Sequence, residues 1–272
     1  MSRISDKFAE LKNRGERALI PFITAGDPDL KTTSSLVLEL ERRGADIIEL
    51  GIPFSDPMAD GPVIQRSSQR ALKGKVSGKD VLNLVGELRE DSEIPLVLMT
   101  YYNPVLKYGI KNFVKEAKIA GVDGLIVSDL PPEESRLLKS YTQRQNLDLI
   151  FLLAPTSSKR RIRLVVEQAG GFIYCVSRTG VTGVREEIFS GLKEFIRRVK
   201  AQTNTPLGVG FGISTPSQAR EVAEIAEAII VGSALVKIID ENLNNSIVGR
   251  PSGPKLVKAV GDFVEELKRA LA

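Results

Sequence analysis

The sequence predicts a single-domain (β/α)8 barrel of the α/β class, with one extra helix at the N-terminus. Eight short apolar runs alternate with amphipathic stretches along the chain. The runs are almost continuously apolar, which is typical of parallel strands that are buried on both faces. No G-x-G-x-x-G motif follows the first run, so the sequence disfavours an open dinucleotide-binding sheet. Eight strand–helix units around one core are therefore the expected architecture.

The elements follow one another in a regular order. The predicted strands lie at residues 18–24, 46–51, 95–101, 124–128, 148–153, 172–177, 207–210 and 228–231. The predicted helices lie at residues 30–43, 79–90, 110–120, 132–144, 158–168, 190–200, 216–225 and 254–270, after a polar amphipathic helix within the first twenty residues. Thr215 and Pro216 are typical of a helix start, and Gly44 and Gly121 of helix ends. We expect a barrel core over about residues 18–240 and, because composition does not shift along the chain, one domain over residues 1–272.

Composition limits the chemistry. The 272 residues include 38 Lys and Arg against 34 Asp and Glu, a net charge of +4 that gives little reason to expect nucleic acid as a partner. No run reaches the roughly 20 apolar residues of a membrane span, and the polar start of the chain does not resemble a signal peptide, so we expect a cytoplasmic protein. The chain has one cysteine and no histidine. Disulfides, zinc clusters and histidine-based catalysis are therefore excluded, and acid–base work must fall to carboxylates, lysine or tyrosine.

Glu49 is the first candidate catalytic residue. It lies near the end of an apolar strand, where a carboxylate is costly to bury unless it is neutral or paired. One interpretation is a structural carboxylate in an ion pair. The other is a catalytic acid whose pKa is raised by apolar walls.

The segment at residues 53–65, PFSDPMADGPVIQ, is predicted to be a long functional loop. It is rich in acids and turn formers and is too long for a minimal strand–helix connection. Asp56 and Asp60 are its candidate functional residues. Both also occur in Asp-Pro or Asp-Gly contexts where aspartate commonly serves only to form turns or cap helices.

Glycine-rich stretches follow the last strands. Residues 208–214 and 230–236 read GVGFGIS and IVGSALV, and Ser233 opens a helix there. Such loops after strands seven and eight of a barrel typically bind phosphate. The segment SRTGVTG at residues 177–183 is either another anion-binding loop or a lid without a ligand. Candidate pocket walls are Phe22, Tyr102, Tyr174 and Phe211, and Cys175 is predicted to be an inert packing thiol.

Several motifs together resemble one family. The segment at residues 49–65, ELGIPFSDPMADGPVIQ, is similar to the signature of the tryptophan synthase alpha chain family. PFITAGDP at residues 21–28, TYYNPV at 100–105, SDLPPEES at 128–135, SRTGVTG and GFGIS also resemble that family at the expected places. The similarity extends from about residue 21 to residue 239, which is nearly the whole predicted barrel.

The resemblance implies a lyase that splits indole-3-glycerol phosphate into indole and glyceraldehyde 3-phosphate without a cofactor. It also implies a partner, a beta chain dependent on pyridoxal phosphate (PLP), in an α2β2 heterotetramer. By motif match, Glu49 and Asp60 fall on the two catalytic carboxylates. Thr182 is expected to approach Asp60 when the loops close, and Thr100 replaces an apolar pocket residue. The remaining matched positions are the indole neighbour Tyr174, the walls Phe22 and Phe211, and the phosphate-binding Gly183, Gly212, Gly232 and Ser233.

Three other functions compete with this one. A sugar-phosphate epimerase or isomerase would also use a phosphate-binding barrel, but such enzymes usually need histidine, which this chain lacks. A freestanding indole-producing lyase would carry similar motifs and work without a beta chain. A non-catalytic regulatory subunit would have no need for both Glu49 and Asp60.

Overall fold

The apolar runs form a barrel of parallel strands in a computed structural model, which describes residues 2–176, 191–210, 212–244 and 253–271. The sheet contains nine strand segments. They are β1 (Ala18–Thr24), β2 (Ile48–Gly51), β3 (Leu96–Thr100), β4 (Gly124–Val127), β5 (Asp148–Ile150), β6 (Leu152–Leu153), β7 (Ile173–Val176), β8 (Leu207–Gly210) and β9 (Ala228–Val231).

The ring closes at the fifth predicted strand. The strand order is β5-β4-β3-β2-β1-β9-β8-β7-β6, and each neighbouring pair is parallel. The predicted strand 148–153 is divided at Phe151 into β5 and β6, so its two halves stand at the two ends of this order. The carbonyl of Phe151 still accepts the backbone N–H of Tyr174 at 3.0 Å. The predicted barrel is therefore confirmed, with one of its eight strands interrupted.

Helices surround the strands. Their bounds are α1 (Arg3–Arg14), α2 (Leu30–Arg42), α3 (Pro62–Lys73), α4 (Gly78–Leu88), α5 (Tyr102–Tyr108), α6 (Ile110–Ala120), α7 (Arg136–Arg144), α8 (Lys159–Gln168), α9 (Leu192–Lys200), α10 (Pro216–Ala223), α11 (Ser233–Asn244) and α12 (Gly253–Arg269). Within the described ranges, no helix combines the length and apolarity needed to cross a membrane.

Two local expectations were wrong. The predicted loop at residues 53–65 ends earlier, because α3 begins at Pro62 after the N-cap residue Gly61. A proline at the first helical position needs no N–H partner and already has a helical φ, so this start had a readable signal. Helix α7 begins at Arg136 rather than at residue 132, because residues 132–135 form turns.

Alternation along the strands separates two cores. Side chains such as Leu19 and Leu98 point outward and pack beneath the helices, whereas Ile20, Ile47 and Ile126 point into the barrel. The inward cluster also includes three residues of the N-terminal helix α1, namely Ile4, Phe8 and Leu11. The predicted extra helix therefore supplies apolar side chains to the barrel interior.

A buried ion pair connects α3 to the loop after β1. Asp27 is 1% exposed, and its carboxylate accepts from Arg70 Nε at 2.7 Å, from Arg70 Nη2 at 2.8 Å and from Ser67 Oγ at 2.6 Å. Arg70 also pairs with Asp240 of α11. The bidentate geometry and the additional hydrogen bond are what a buried pair needs to offset desolvation. Arg70 of α3 thus links its own helix both to the loop after β1 and to α11.

Candidate active site

One pocket lies where the strands end, and it collects most of the predicted residues. Its total empty volume is about 510 Å³, part of which is open to solvent at the mouth. Its walls include seven of the residues singled out from the sequence: Phe22, Glu49, Asp60, Tyr174, Gly212, Gly232 and Ser233. The sides are completed by Ile64, Met99, Ile213 and Ile230. The pocket is mainly apolar, and its lining includes two carboxyl groups and the N-terminus of a helix.

Glu49 is held inside the barrel by β2. It pairs in register with Phe22 of β1 and Val97 of β3, and it is 0% exposed. Neither carboxyl oxygen has a hydrogen-bond partner among the described residues, so no ion pair explains its burial. Desolvation raises the pKa of Glu49 from 4.5 to about 8. The carboxyl group is therefore mostly protonated at neutral pH and can donate a proton into the pocket.

Asp60 enters the pocket from the loop before α3. Burial raises its pKa from 3.8 to about 6, while a hydrogen bond from Tyr101 acts in the opposite direction and lowers it. A carboxyl group with this pKa is mostly ionised at pH 7. The Tyr101 hydroxyl also accepts the backbone N–H of Ala59 at 3.0 Å, and the Asp60 carbonyl accepts from Gln65 Nε2 at 2.9 Å. Asp60 is consequently anchored to the end of β3 and to the first turn of α3.

Glycines make room for the two aromatic walls. A Cβ at Gly51 would lie 2.7 Å from the Phe22 ring, and a Cβ at Gly210 would collide with the Tyr174 hydroxyl. Both rings can therefore occupy their places in the barrel only because the neighbouring strands carry no side chain at these positions. Burial raises the pKa of Tyr174 well above its usual range, so its hydroxyl stays neutral.

The part of the pocket lined by Gly232 and Ser233 is suited to an anion. Gly232 is the residue before α11, and its carbonyl accepts the backbone N–H of Val236 at 3.0 Å in the first helical turn. The N–H groups that open a helix have no partner within it, and together with the helix dipole they favour a phosphate. Gly212 lies nearby with a φ of +91°, a conformation that residues with side chains rarely adopt.

Two predicted pocket residues lie elsewhere. Thr100 borders a small adjacent cavity, and Tyr102 packs against the outer core beneath the helices. The structure instead turns Met99 into the main pocket and places Tyr101 against Asp60. Strand alternation is the physical reason: Val97 points inward, so residues 99 and 101 follow on the same side. This period was available in the sequence and would have identified Met99 and Tyr101.

Three other predicted residues, Thr182, Gly183 and Phe211, lie outside the described residues, as does the whole segment 177–183. Cys175 is buried on β7 as predicted. Burial raises the pKa of its thiol, which is the expected behaviour of an inert packing cysteine.

Comparisons with known proteins identify the family. A family model for the tryptophan synthase alpha chain matches residues 8–260. A tryptophan synthase alpha chain from Geobacter sp. (strain M21) is 53% identical over 271 residues, covering 100% of this chain and 98% of that protein. One from Citrifermentans bemidjiense is 54% identical, with the same coverage of both chains. The crystal structure of tryptophan synthase subunit alpha from Legionella pneumophila str. Paris superposes with a TM-score of 0.89 at 40% identity, covering 100% of this chain and 98% of that chain. The chain therefore belongs to the tryptophan synthase alpha chain family, lyases that cleave indole-3-glycerol phosphate in tryptophan biosynthesis.

Proposed function

We propose that Glu49 and Asp60 together carry out the cleavage of indole-3-glycerol phosphate, with Glu49 as the acid and Asp60 as the stabilising anion. The observation that supports this most is the separation of their pKa values, to about 8 for Glu49 and about 6 for Asp60, within one pocket. Between these values one group is protonated and the other is ionised. Two carboxyl groups in different environments can in this way perform opposite tasks.

In the proposed reaction, Glu49 first donates a proton to the indole ring and later accepts one from the glycerol chain. The Glu49 carboxyl protonates C3 of the indole ring, which turns the ring into an electron sink. The Asp60 carboxylate pairs with the indole N–H and stabilises the positive charge that develops there. The bond between C3 and the glycerol chain then breaks, its electron pair returns to the ring, and the Glu49 carboxylate takes the proton of the adjacent glycerol hydroxyl. The products are indole and an aldehyde, glyceraldehyde 3-phosphate, and Glu49 is again protonated.

The rest of the pocket would bind the substrate. The apolar walls at Phe22, Met99 and Tyr174 suit the indole ring, and the opening of α11 at Gly232 and Ser233 suits the phosphate. Every proton transfer in this scheme uses a side chain, so we propose that the alpha chain needs no cofactor. PLP is expected only in the beta chain. A cytoplasmic location is part of the proposal, and a single buried thiol is compatible with a reducing compartment.

The partner of this proposal is the beta chain implied by the family, in an α2β2 heterotetramer. The large apolar side chains exposed near the mouth of the barrel include Met58, 87% exposed in the loop before α3, and Leu106, 49% exposed on α5. We propose that the beta chain docks on this side and stabilises the loop that carries Asp60, so that it activates cleavage by shifting the loop toward its productive position.

A matched pair of variants tests the docking side. Met58→Asp places a charge in the proposed interface, whereas Ile119→Asp does the same at a residue that is 74% exposed near the C-terminal end of α6, at the opposite end of the barrel. In calorimetric titrations with the cognate beta chain, we expect Met58→Asp to weaken binding and Ile119→Asp to leave it nearly unchanged. Equal affinities for the two variants would place the interface elsewhere. No binding and no activation of the wild type would favour a freestanding lyase.

The catalytic assignment is tested on the purified chain alone. Indole release from indole-3-glycerol phosphate should fall by about 10²-fold or more in Asp60→Asn. Asp56→Asn removes a carboxylate from the same loop, but Asp56 is exposed, so its rate should stay near that of the wild type. Equal rates for the two variants would contradict the role of Asp60.

A further inference from the structure

A second, smaller cavity lies beside the substrate pocket, behind Asp60. The two cavities share Phe22, Asp60, Ile64 and Met99 as walls. The smaller one offers about 20 Å³ to the centres of water molecules. A space of about 10–15 Å³ measured in this way is enough for one water. The polar side chains that line it are Thr24, Asp60, Ser68, Thr100, Tyr101 and Ser128.

Two hydroxyl groups in this cavity lack a hydrogen-bond partner among the described residues. Thr24 is 2% exposed, and its Oγ1 has no hydrogen-bond partner among the described residues. The same holds for the buried Oγ of Ser128. The hydroxyl of Thr100, in contrast, donates to the carbonyl of Tyr101 at 3.4 Å. A buried hydroxyl that makes no hydrogen bond costs about 1–3 kcal/mol, and here two such groups line one small space.

The barrel geometry explains why they meet. Thr24 is two residues beyond Phe22 on β1, and Ser128 is two residues beyond Ile126, whose side chain belongs to the inward cluster. Strand alternation therefore turns both hydroxyls inward at the upper end of the barrel. Gly51, which pairs in register with Thr24, adds no side chain to the space between them.

We propose that this cavity, the Asp60 chamber, binds one ordered water molecule that hydrogen-bonds to Thr24, Ser128 and the carboxylate of Asp60. Three polar partners match the two to four hydrogen bonds that buried waters typically make. The hydroxyls can accept from or donate to the water as required, and the water donates to the carboxylate.

The water would have a function for Asp60. A hydrogen bond donated to the carboxylate favours its ionised form, whereas burial favours the neutral form and raises the pKa of Asp60. The other titratable groups around Asp60 in the described ranges are Tyr101, Glu49 and Tyr174, together with Asp129, which interacts with Tyr101. Carboxyl and phenol groups are neutral or negative at every pH, so none of these groups supplies a positive charge that would favour the ionised form of Asp60.

Thr24→Val tests the chamber, because valine keeps the shape of threonine and removes the hydroxyl. Crystals of the full-length wild type should show the water, and crystals of Thr24→Val should lack it or show it with much lower occupancy. The acid limb of the pH dependence of indole release should move up by roughly one pH unit, the size of a lost hydrogen bond to a charged group. Ser128→Ala should act in the same direction, and Thr24→Ser, which restores the hydroxyl, should return both readouts toward the wild type.

Two results would contradict the proposal. If the chamber is dry, the wild type shows no water there, and Thr24→Val raises the free energy of unfolding because it removes an unsatisfied buried hydroxyl; this would overturn the proposal. If the acid limb stays in place after the water is lost, the water does not favour the ionised form of Asp60, and that part of the proposal is overturned. The inference rests on the proposed role of Asp60, but diffraction needs no activity, so failure of the chamber and failure of that role give different results.

Discussion

Tyr101 donates a hydrogen bond to the carboxylate of Asp60 and accepts one from the backbone N–H of Ala59 at 3.0 Å. One phenol group therefore fixes both the side chain and the loop of the stabilising anion. The hydrogen bond also lowers the pKa of Asp60 against the rise that burial causes.

Tyr101→Phe should therefore raise the pKa of Asp60 above about 6. We expect the acid limb of indole release to move up by roughly one pH unit, since one hydrogen bond to a charged group is lost. The measurement is the rate of indole release between pH 5 and 8. Tyr102→Phe is the matched control, because Tyr102 packs against the outer core. An unmoved limb in Tyr101→Phe would show that the hydrogen bond does not tune Asp60.

The two carboxyl groups together set the pH dependence of the wild type. Asp60 must be ionised, so the rate should fall as pH drops below about 6. Glu49 must be protonated, so the rate should fall as pH rises above about 8. A bell-shaped profile with these limbs is expected when chemistry limits the rate. The assignments predict that Asp60→Asn loses the acid limb in its residual activity, and a profile in which only the alkaline limb disappears would contradict them.

Burial of Glu49 should also reduce stability. Its folded-state pKa is raised from 4.5 to about 8, so the unfolded state holds the ionised group more favourably above pH 4.5. Glu49→Gln is neutral at every pH and avoids this cost. We expect the variant's free energy of unfolding to exceed that of the wild type by an amount that grows by about 1.4 kcal/mol per pH unit from pH 4.5 to 8 and then levels off. Urea unfolding followed by circular dichroism at pH 5, 6.5 and 8 measures this difference. A difference that stays constant with pH would mean that the pKa of Glu49 is not raised in the folded state.

Gly232 allows a test of the proposed phosphate site at the start of α11 without unfolding the protein. A Cβ at this position meets Phe22 at 3.4 Å, an ordinary contact, and aspartate is a favourable residue before a helix. Gly232→Asp should nevertheless weaken binding of indole-3-glycerol phosphate by about tenfold or more, because its charge opposes the phosphate. Gly232→Ala should cause a much smaller loss. The chain has no tryptophan, so the fluorescence of the indole ligand can be titrated directly; equal affinities of the two variants would argue against a phosphate at α11.

Much of this site could be predicted from sequence, for identifiable reasons. Glu49 stood out because a carboxyl group inside an apolar run conflicts with the energetics of burial. Gly232 and Ser233 stood out because the strand before them and the helix after them were both readable. The break at Phe151 could not be predicted, because it depends on where strand register ends, and the identity of a residue does not fix that. The raised pKa of Asp60 could not be predicted from the sequence either, because it depends on how closely the loop packs against β3. The choice of Tyr101 over the adjacent Tyr102 could have been predicted, because the two-residue period of β3 turns residues 97, 99 and 101 to the same side.

The most direct test of the account compares single-turnover indole release by the wild type and by Glu49→Gln, at a pH near 7 where both are folded. Glutamine keeps the shape of glutamate but cannot donate a proton and take one back. We expect the rate to fall by at least about 10²-fold, while the variant unfolds at a urea concentration as high as that of the wild type or higher. A folded Glu49→Gln protein that releases indole at a rate near that of the wild type would contradict the central claim.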